Sequence, residues 1–249
     1  MNRRRFLATA ATIGAAGLAG CTSSGDSANP ATASQTSIGQ QTTSTSTDSQ
    51  TQTSSTSVEA SVTSAEYRVQ SPNGYEEGAI VGHVKNTGTK RLRSVAVTGK
   101  FYDGQDNLLT TRVVKISDLA PGEVWDAFVI YVDNPSKVER GELVITQATT
   151  TPRTYFPDGF SVTESGMEVP QDDNRPIISA TVENTSGVDD AFLMAVPKVY
   201  AENGNVLGTA ITSKSGLSDG KTWNFNSRVR ILNGEWTDRA ADHEVVLLQ

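Results

Sequence analysis

The 42 residues from Val84 to Trp125, VKNTGTKRLRSVAVTGKFYDGQDNLLTTRVVKISDLAPGEVW, occur a second time 98 positions later, from Val182 to Trp223, as VENTSGVDDAFLMAVPKVYAENGNVLGTAITSKSGLSDGKTW. Twelve positions are identical without a gap: Val84/Val182, Asn86/Asn184, Thr87/Thr185, Lys100/Lys198, Tyr102/Tyr200, Asn107/Asn205, Leu109/Leu207, Thr111/Thr209, Ser117/Ser215, Leu119/Leu217, Gly122/Gly220 and Trp125/Trp223. Repeats of about 20 to 50 residues build solenoids and arrays, whereas a period near 100 residues is the size of a small complete domain. The chain therefore reads as a duplicated domain, 58–150 and 151–249, each copy long enough to bury a core of its own.

Around this stretch, short apolar alternations broken by turn signals predict an all-β fold with hardly any helical spacing. Ile80, Gly82 and Val84 alternate with Val81, His83 and Lys85, and Ile178, Ala180 and Val182 with Ser179, Thr181 and Glu183. A small residue in the middle of each inward face predicts that a tryptophan, Trp125 or Trp223, packs over it. Asn86 and Asn184 close these strands, because asparagine tolerates the left-handed region that tight turns use. Asn184 with Ser186 is also a candidate N-glycosylation acceptor, although the turn role explains both asparagines. Pro197 predicts an edge strand or a bulge in the second copy. Asp103-Gly104 and Asn203-Gly204 mark hairpin turns, with a glycine that shifts by two places between the copies. Leu143 with Ile145 and Val245 with Leu247 supply a last strand in each copy, and segments 134–140 and 233–243 have room for a helical turn before it.

Three motifs, Gly82-His83-Val84-Lys85-Asn86-Thr87-Gly88, Phe101-Tyr102-Asp103-Gly104 and Leu119-Ala120-Pro121-Gly122-Glu123, resemble the FxLYD-domain family. The resemblance covers most of 79–132 and, more weakly, 176–229. It implies two tandem immunoglobulin-like β-sandwich domains of the kind found in prokaryotic lipoproteins, and it implies no catalytic residues.

The amino terminus reads as an address. Arg3, Arg4 and Arg5 precede an apolar run from Phe6 to Ala19, which resembles a twin-arginine export signal and is too short for a membrane span of roughly 20 residues. The run ends in Leu18-Ala19-Gly20-Cys21, which resembles a prokaryotic lipobox. Residues 1–20 are then a signal peptide, and Cys21, the single cysteine of the chain, becomes the lipidated first residue of an exported, membrane-anchored protein. Residues 21–57 are almost wholly Ser, Thr, Gln, Ala and Gly, too poor in apolar groups to offset the entropy of ordering them. As a coil, this disordered tether spans roughly 30 to 36 Å.

The formal net charge is −7, and removal of the three signal arginines takes it to −10. That balance argues against nucleic acid and anionic lipid as partners, since both reward clustered cations. It fits a haloarchaeal, high-salt habitat as well as an ordinary acidic protein. No cofactor or metal is expected. His83 and His243 read as surface residues, and a blue-copper site needs a thiolate that Cys21 commits elsewhere. Asp172-Asp173 and Asp189-Asp190 lack the alternating spacing of a calcium loop. Trp125 and Trp223 read as core, and Trp236 as the tryptophan expected to be exposed.

One feature stands out between the copies. Trp223, Phe225, Val229 and Ile231 alternate with polar Asn224, Asn226, Arg228 and Arg230, but the first copy puts Phe128, Ile130 and Val132 on the corresponding outer face. This stripe is expected to be covered, by the second domain or the linker aromatics Tyr155, Phe156 and Phe160, or else by another protein. The functional expectation is a lipid-anchored interaction or spacer module of the envelope, non-enzymatic, with an envelope protein as partner. The alternative is a solute-binding receptor subunit of a transporter.

Overall fold

The computed structural model describes residues 59–71, 76–150, 152–170, 175–231 and 238–249, and all of them belong to one compact unit. Cys21, the expected signal and tether, Asp172, Asp173 and Trp236 lie outside the described residues. The fold is mostly β and built from several sheets. The first repeat contributes β1 (Ala60–Gln70), β2 (Glu77–Asn86), β3 (Leu92–Tyr102), β4 (Leu108–Leu119), β5 (Val124–Tyr131) and β6 (Arg140–Thr149). The second contributes β7 (Phe160–Glu168), β8 (Ile177–Asn184), β9 (Ala191–Ala201), β10 (Val206–Thr209), β11 (Thr212–Leu217), β12 (Thr222–Arg228) and β13 (Ala240–Leu248). Among the described residues, the one helical element is a 3-10 turn at Pro135–Lys137, capped by Asn134, whose side chain accepts from the Ser136 N–H.

Each repeat has the same two sets of antiparallel strands around one buried cluster: β1-β2-β5 and β4-β3-β6 in the first, and β7-β8-β12 with β9 and its partners β11, β10 and β13 in the second. The inward alternation predicted for β2 and β5 holds: Ile80, Val84, Trp125, Ala127 and Val129 share one buried cluster with Val95, Val97 and Phe101 of β3 and Leu143 of β6. Trp223 is buried at the equivalent place in the second repeat. The residue over Gly82, however, is Leu143, whose Cδ2 lies 2.7 Å from where a Cβ would stand. Strand alternation specifies the face and leaves open which side chain fills it.

Both copies carry the same β-bulge. The β3–β4 register passes from Tyr102↔Leu108 to Phe101↔Thr110, and the β9–β10 register from Tyr200↔Val206 to Val199↔Gly208, so that Leu109 and Leu207 are the extra residues. The hairpin turn before them also keeps its place. The left-handed residues are Asp106 (φ 61) and Gly204 (φ 81), which are equivalent positions, and Gly104 is not one of them. The apparent shift of the turn glycine is thus corrected: aspartate occupies the left-handed position in the first copy.

Pro197 lies on a central strand, opposite Val245 of β13. Its effect appears on the other side, where Ala210 donates to the Pro197 carbonyl at 2.9 Å and the proline has no N–H to return the bond. The neighbouring strand is interrupted there, giving β10 and β11 where the first repeat has the single strand β4.

That short β10 joins the repeats. It pairs in parallel with β5 at Val206↔Trp125, so the β1-β2-β5 layer runs on into the β9 layer of the second repeat. The cores interlock at this seam. Ala79 and Phe128 belong to the buried cluster of the second repeat, with Val81 and Ile130 packed against it. Val206 belongs to the cluster of the first repeat, with Tyr200 packed against it.

Candidate functional site

Among the described residues, the buried charges Asp118, Asp126 and Lys198 gather at the seam between the repeats. Lys198, on the outward face of β9, is fully buried. Its Nζ donates to both Glu123 carboxylate oxygens at 2.6 and 2.8 Å, and to Asp118 Oδ2 at 3.1 Å. Both acids come from the first repeat, at the end of β4 and in the turn leading into β5. Arg91 donates to the same Asp118 oxygen at 2.5 Å and stands over the rings of Tyr155 and Phe156. The Tyr200 hydroxyl, with one proton to donate, lies within hydrogen-bond reach of both Glu123 Oε1 (2.8 Å) and Glu244 Oε2 (2.7 Å).

The turn chemistry places these acids. Glu123 Oε2 accepts the Ala120 N–H at 2.6 Å, which fixes the carboxylate against its own turn. Asp118 has φ 63, the left-handed region, at the position where the second copy has Gly216 (φ 68). A non-glycine residue there costs on the order of 1 kcal/mol, and it is held by its two cationic partners. Burial pushes the Asp118 carboxyl above the usual aspartate range, against the pull of Lys198 and Arg91. Burial acts on Glu123 in the same sense, but Lys198, the Ala120 N–H and the Tyr200 hydroxyl together hold its carboxyl below the usual glutamate range. Burial first, then the hydrogen bond to Glu244, pushes Tyr200 far above the tyrosine range.

A second polar cluster lies on β5. Buried Asp126 accepts from Asn205 Nδ2 (2.6 Å) and Arg239 (2.6 Å) of the second repeat, and stands 3.3 Å from His83 Nε2. His83 also contacts Ser64 at 3.0 Å. His243 contacts Ser165 at 3.1 Å. The two histidines serve different contacts and do not meet. Asp189, in the turn between β8 and β9, accepts from the Asp219 N–H in the turn between β11 and β12. No group of three or more metal-capable side chains occurs among the described residues.

The apolar stripe divides. Phe128 is buried and Ile130 partly buried against the second repeat, but Val132 is 64% exposed because it follows the last residue of β5. Of the linker aromatics, Phe160 packs against the second repeat's cluster, whereas Tyr155 bridges Leu248. Asn184 is fully buried; its Nδ2 donates to Val188 O (2.9 Å) and Leu217 O (2.8 Å). Both amide hydrogens are engaged, and the fold has no place for a glycan on that nitrogen. Asn86 makes the equivalent bonds to Lys90 O and Leu119 O, so the turn role accounts for both copies.

Sequence alone marks Lys198 only as a repeated position and Glu123 only as part of a turn motif, and gives Asp118 and Asp126 no role. A signal was present: a lysine inside the apolar run Leu193–Tyr200, and three acids of the first copy replaced by Gly216, Lys221 and Asn224 in the second. Beside this cluster, a cavity of about 240 Å³ is lined by Asp118, Tyr155, Arg93, Lys115 and Arg153. Asp118 Oδ1 and the Tyr155 hydroxyl are buried without a protein partner there.

No family model matches the chain, and no curated protein matches it in sequence. Among solved structures, the C-terminal globular domain of an oligosaccharyltransferase from Pyrococcus abyssi is 11% identical, with a TM-score of 0.18 over 76% of this chain. The chain spans about half of that structure, 47% of its length. An N-terminal CBM22 tandem domain from Paenibacillus barcinonensis is 10% identical, with a TM-score of 0.12, over 78% of this chain and 85% of that one.

Proposed function

We propose that this chain is a non-catalytic interaction or spacer module of a prokaryotic cell envelope, exported by the twin-arginine route and anchored at the extracytoplasmic face of the membrane through a lipid on Cys21. Its two repeats are immunoglobulin-like β-sandwiches similar to FxLYD domains, carried on a Ser/Thr-rich tether, and its acidity fits a haloarchaeal habitat. The observation that carries the reading is the use made of buried charge. Buried Lys198 reaches Asp118 and Glu123 of the first repeat, and buried Asp126 accepts from Asn205 and half-exposed Arg239 of the second, so these charges tie one repeat to the other. Such a join fixes the relative orientation of two binding surfaces at the end of a flexible tether. Buried ion pairs add little net stability but favour one geometry over its alternatives.

The test is cross-linking on intact cells at native salt, followed by capture of the chain and mass spectrometry. A reproducible envelope partner, lost when the exposed loops of one repeat are changed, supports the module; background recovery alone leaves a passive spacer. In the same cells, Cys21→Ser is expected to release the chain from the membrane fraction. A second reading, a solute receptor subunit, draws on the cavity beside Asp118 and Tyr155, whose two unpartnered polar atoms and three cations suit a small ligand with both anionic and donor groups. A ligand-dependent rise in Tm, abolished by Tyr155→Phe, is the result that favours it.

A further inference from the structure

The seam in the second repeat uses an acceptor surface that the first repeat also possesses. In the second repeat, the acceptor is Lys198 and Tyr200 on β9 with Val206 and bulged Leu207 on β10, and the first repeat seats β5 against it. The first repeat carries Lys100, Tyr102, Leu108 and bulged Leu109 in the same register on β3 and β4. Even the accessory glutamate is kept: Tyr102 donates to Glu142 at 3.0 Å, as Tyr200 does to Glu244 at 2.7 Å. Yet this copy is open. Leu108 is 53% and Leu109 36% exposed, against 0% and 4% for Val206 and Leu207, and the Lys100 side chain is 34% exposed against 0% for Lys198. β4 is an edge strand of its sheet, and Val113 further along it is exposed as well.

We propose that the Leu108–Val113 edge of β4, with Lys100 and Tyr102 beside it, is a docking site for an edge strand of another protein whose leading turn carries carboxylates. The inference rests on the module reading above and names its partner surface. Charge sets the occupant. The donor of the first repeat, Asp118, Glu123, Asp126 and Phe128, is consumed within the chain. The corresponding positions of the second repeat are Gly216, Lys221, Asn224 and Asn226, which would bring Lys221 against Lys100 and supply no aromatic anchor. A second copy of this chain is therefore a poor donor, and head-to-tail polymerisation, the usual hazard of a repeated heterologous contact, is blocked. Arg140 stacks over the Tyr102 ring at 4.0 Å and pairs with Asp106 at 3.0 Å, so the cation left for an incoming carboxylate is Lys100, held only by its 3.6 Å surface pair with Glu142. A strand with an acidic head pairs with the unoccupied backbone of β4, places its carboxylates on Lys100, and covers Leu108 and Leu109.

The experiment puts a photo-cross-linking residue at position 108 of the full chain, and at the exposed Phe192 as a control, in cells that export the protein. The expected result is a discrete adduct at 108, mapped to an acidic edge strand of a different protein and reduced at least tenfold by Lys100→Glu, with Lys221→Glu leaving it unchanged. Since Lys100 and Leu108 lie at the surface, an unchanged Tm of each variant separates lost docking from lost folding. Adducts to this chain's own tether or to a second copy overturn the proposal, as does an adduct indifferent to Lys100→Glu. Adducts at 192 without any at 108 overturn it while the module reading stands; no adduct at either position, with no partner in the whole-cell capture, removes both.

Discussion

The two repeats present the same lysine and tyrosine on the same strand; both tyrosines are half-buried, but Lys198 is fully enclosed while the Lys100 side chain is 34% exposed. Lys198 is enclosed because the first repeat offers it Asp118 and Glu123; Lys100 has only Glu142, at 3.6 Å on the surface. The strand that carries each lysine does not differ in register or in its bulge. What differs is the neighbour. Each repeat has an acceptor, but where the first repeat's donor has Asp118, Glu123 and Asp126 the second repeat has Gly216, Lys221 and Asn224. The tandem therefore has a direction, with its first repeat seated on its second and no third place in the series for itself.

The largest effect should come from the apolar half of the donor. Replacing Phe128 and Ile130 together with serine removes an aromatic and an aliphatic anchor from the other repeat's core and leaves two hydroxyls there. Large-to-small changes at buried Phe cost about 3 to 5 kcal/mol each and at Ile somewhat less, so the double variant is expected to lose most of a domain's stability. Chemical denaturation should show the seam opening first, with a larger hydrodynamic radius. The counterparts Asn226 and Arg228 changed to alanine should leave both readings within about 0.5 kcal/mol of the parent.

Next in size is the lysine pair. Lys198→Met strands buried Asp118 and partly buried Glu123, and breaking a buried ion pair from one side costs about 3 to 5 kcal/mol. Lys100→Met removes a surface pair worth about 0 to 1 kcal/mol. Urea midpoints of the two variants should therefore separate widely. If they coincide, the burial contrast between the repeats has no energetic meaning. A triple change, Lys198→Met with Asp118→Asn and Glu123→Gln, should recover much of the loss, because no uncompensated charge remains.

The asparagines test what the repeats share. Asn86 and Asn184 each make two donations to carbonyls and accept a backbone N–H two residues on, at 3.0 and 2.9 Å. Alanine at either leaves buried backbone groups unpaired at about 1 to 3 kcal/mol, and the two costs should agree within about 0.5 kcal/mol. These turns are legible in the sequence because half of their chemistry is local: Asn86 reaches Gly88 and Lys90, and Asn184 reaches Ser186 and Val188. The bonds to Leu119 and Leu217 cross 33 positions and are not legible. Nor is the seam. Lys198 finds Asp118 and Glu123 across 80 and 75 positions, and each acid reads alone as an ordinary surface charge. Pro197 reads in sequence as an edge strand or a bulge, but β9 is central and the interruption falls on its neighbour, because the missing N–H is felt by the strand that needed it. Gly82 reported a close approach without saying that Leu143 makes it.

The smallest and most diagnostic effect is that of pH on the two carboxylates of Lys198. Glu123 is held below the glutamate range in the folded chain by Lys198 and its hydrogen bonds, which outweigh its burial. A depressed carboxyl contributes stability above its unfolded value and loses it as pH falls through the lower folded value. Asp118 is shifted the other way by burial; its folded form holds a proton more tightly, so its contribution is present at low pH and lost as pH rises through its raised value. On acidification from neutral, protonation of Asp118 should first stabilise the parent slightly relative to Asp118→Asn. Only below the glutamate range should the parent then lose stability relative to Glu123→Gln. Urea midpoints across that range, taken for the parent and both variants, check the order of the two steps. A single transition common to all three would mean that the carboxylates titrate as ordinary surface acids, and that the seam does not enclose them as the distances to Lys198 indicate.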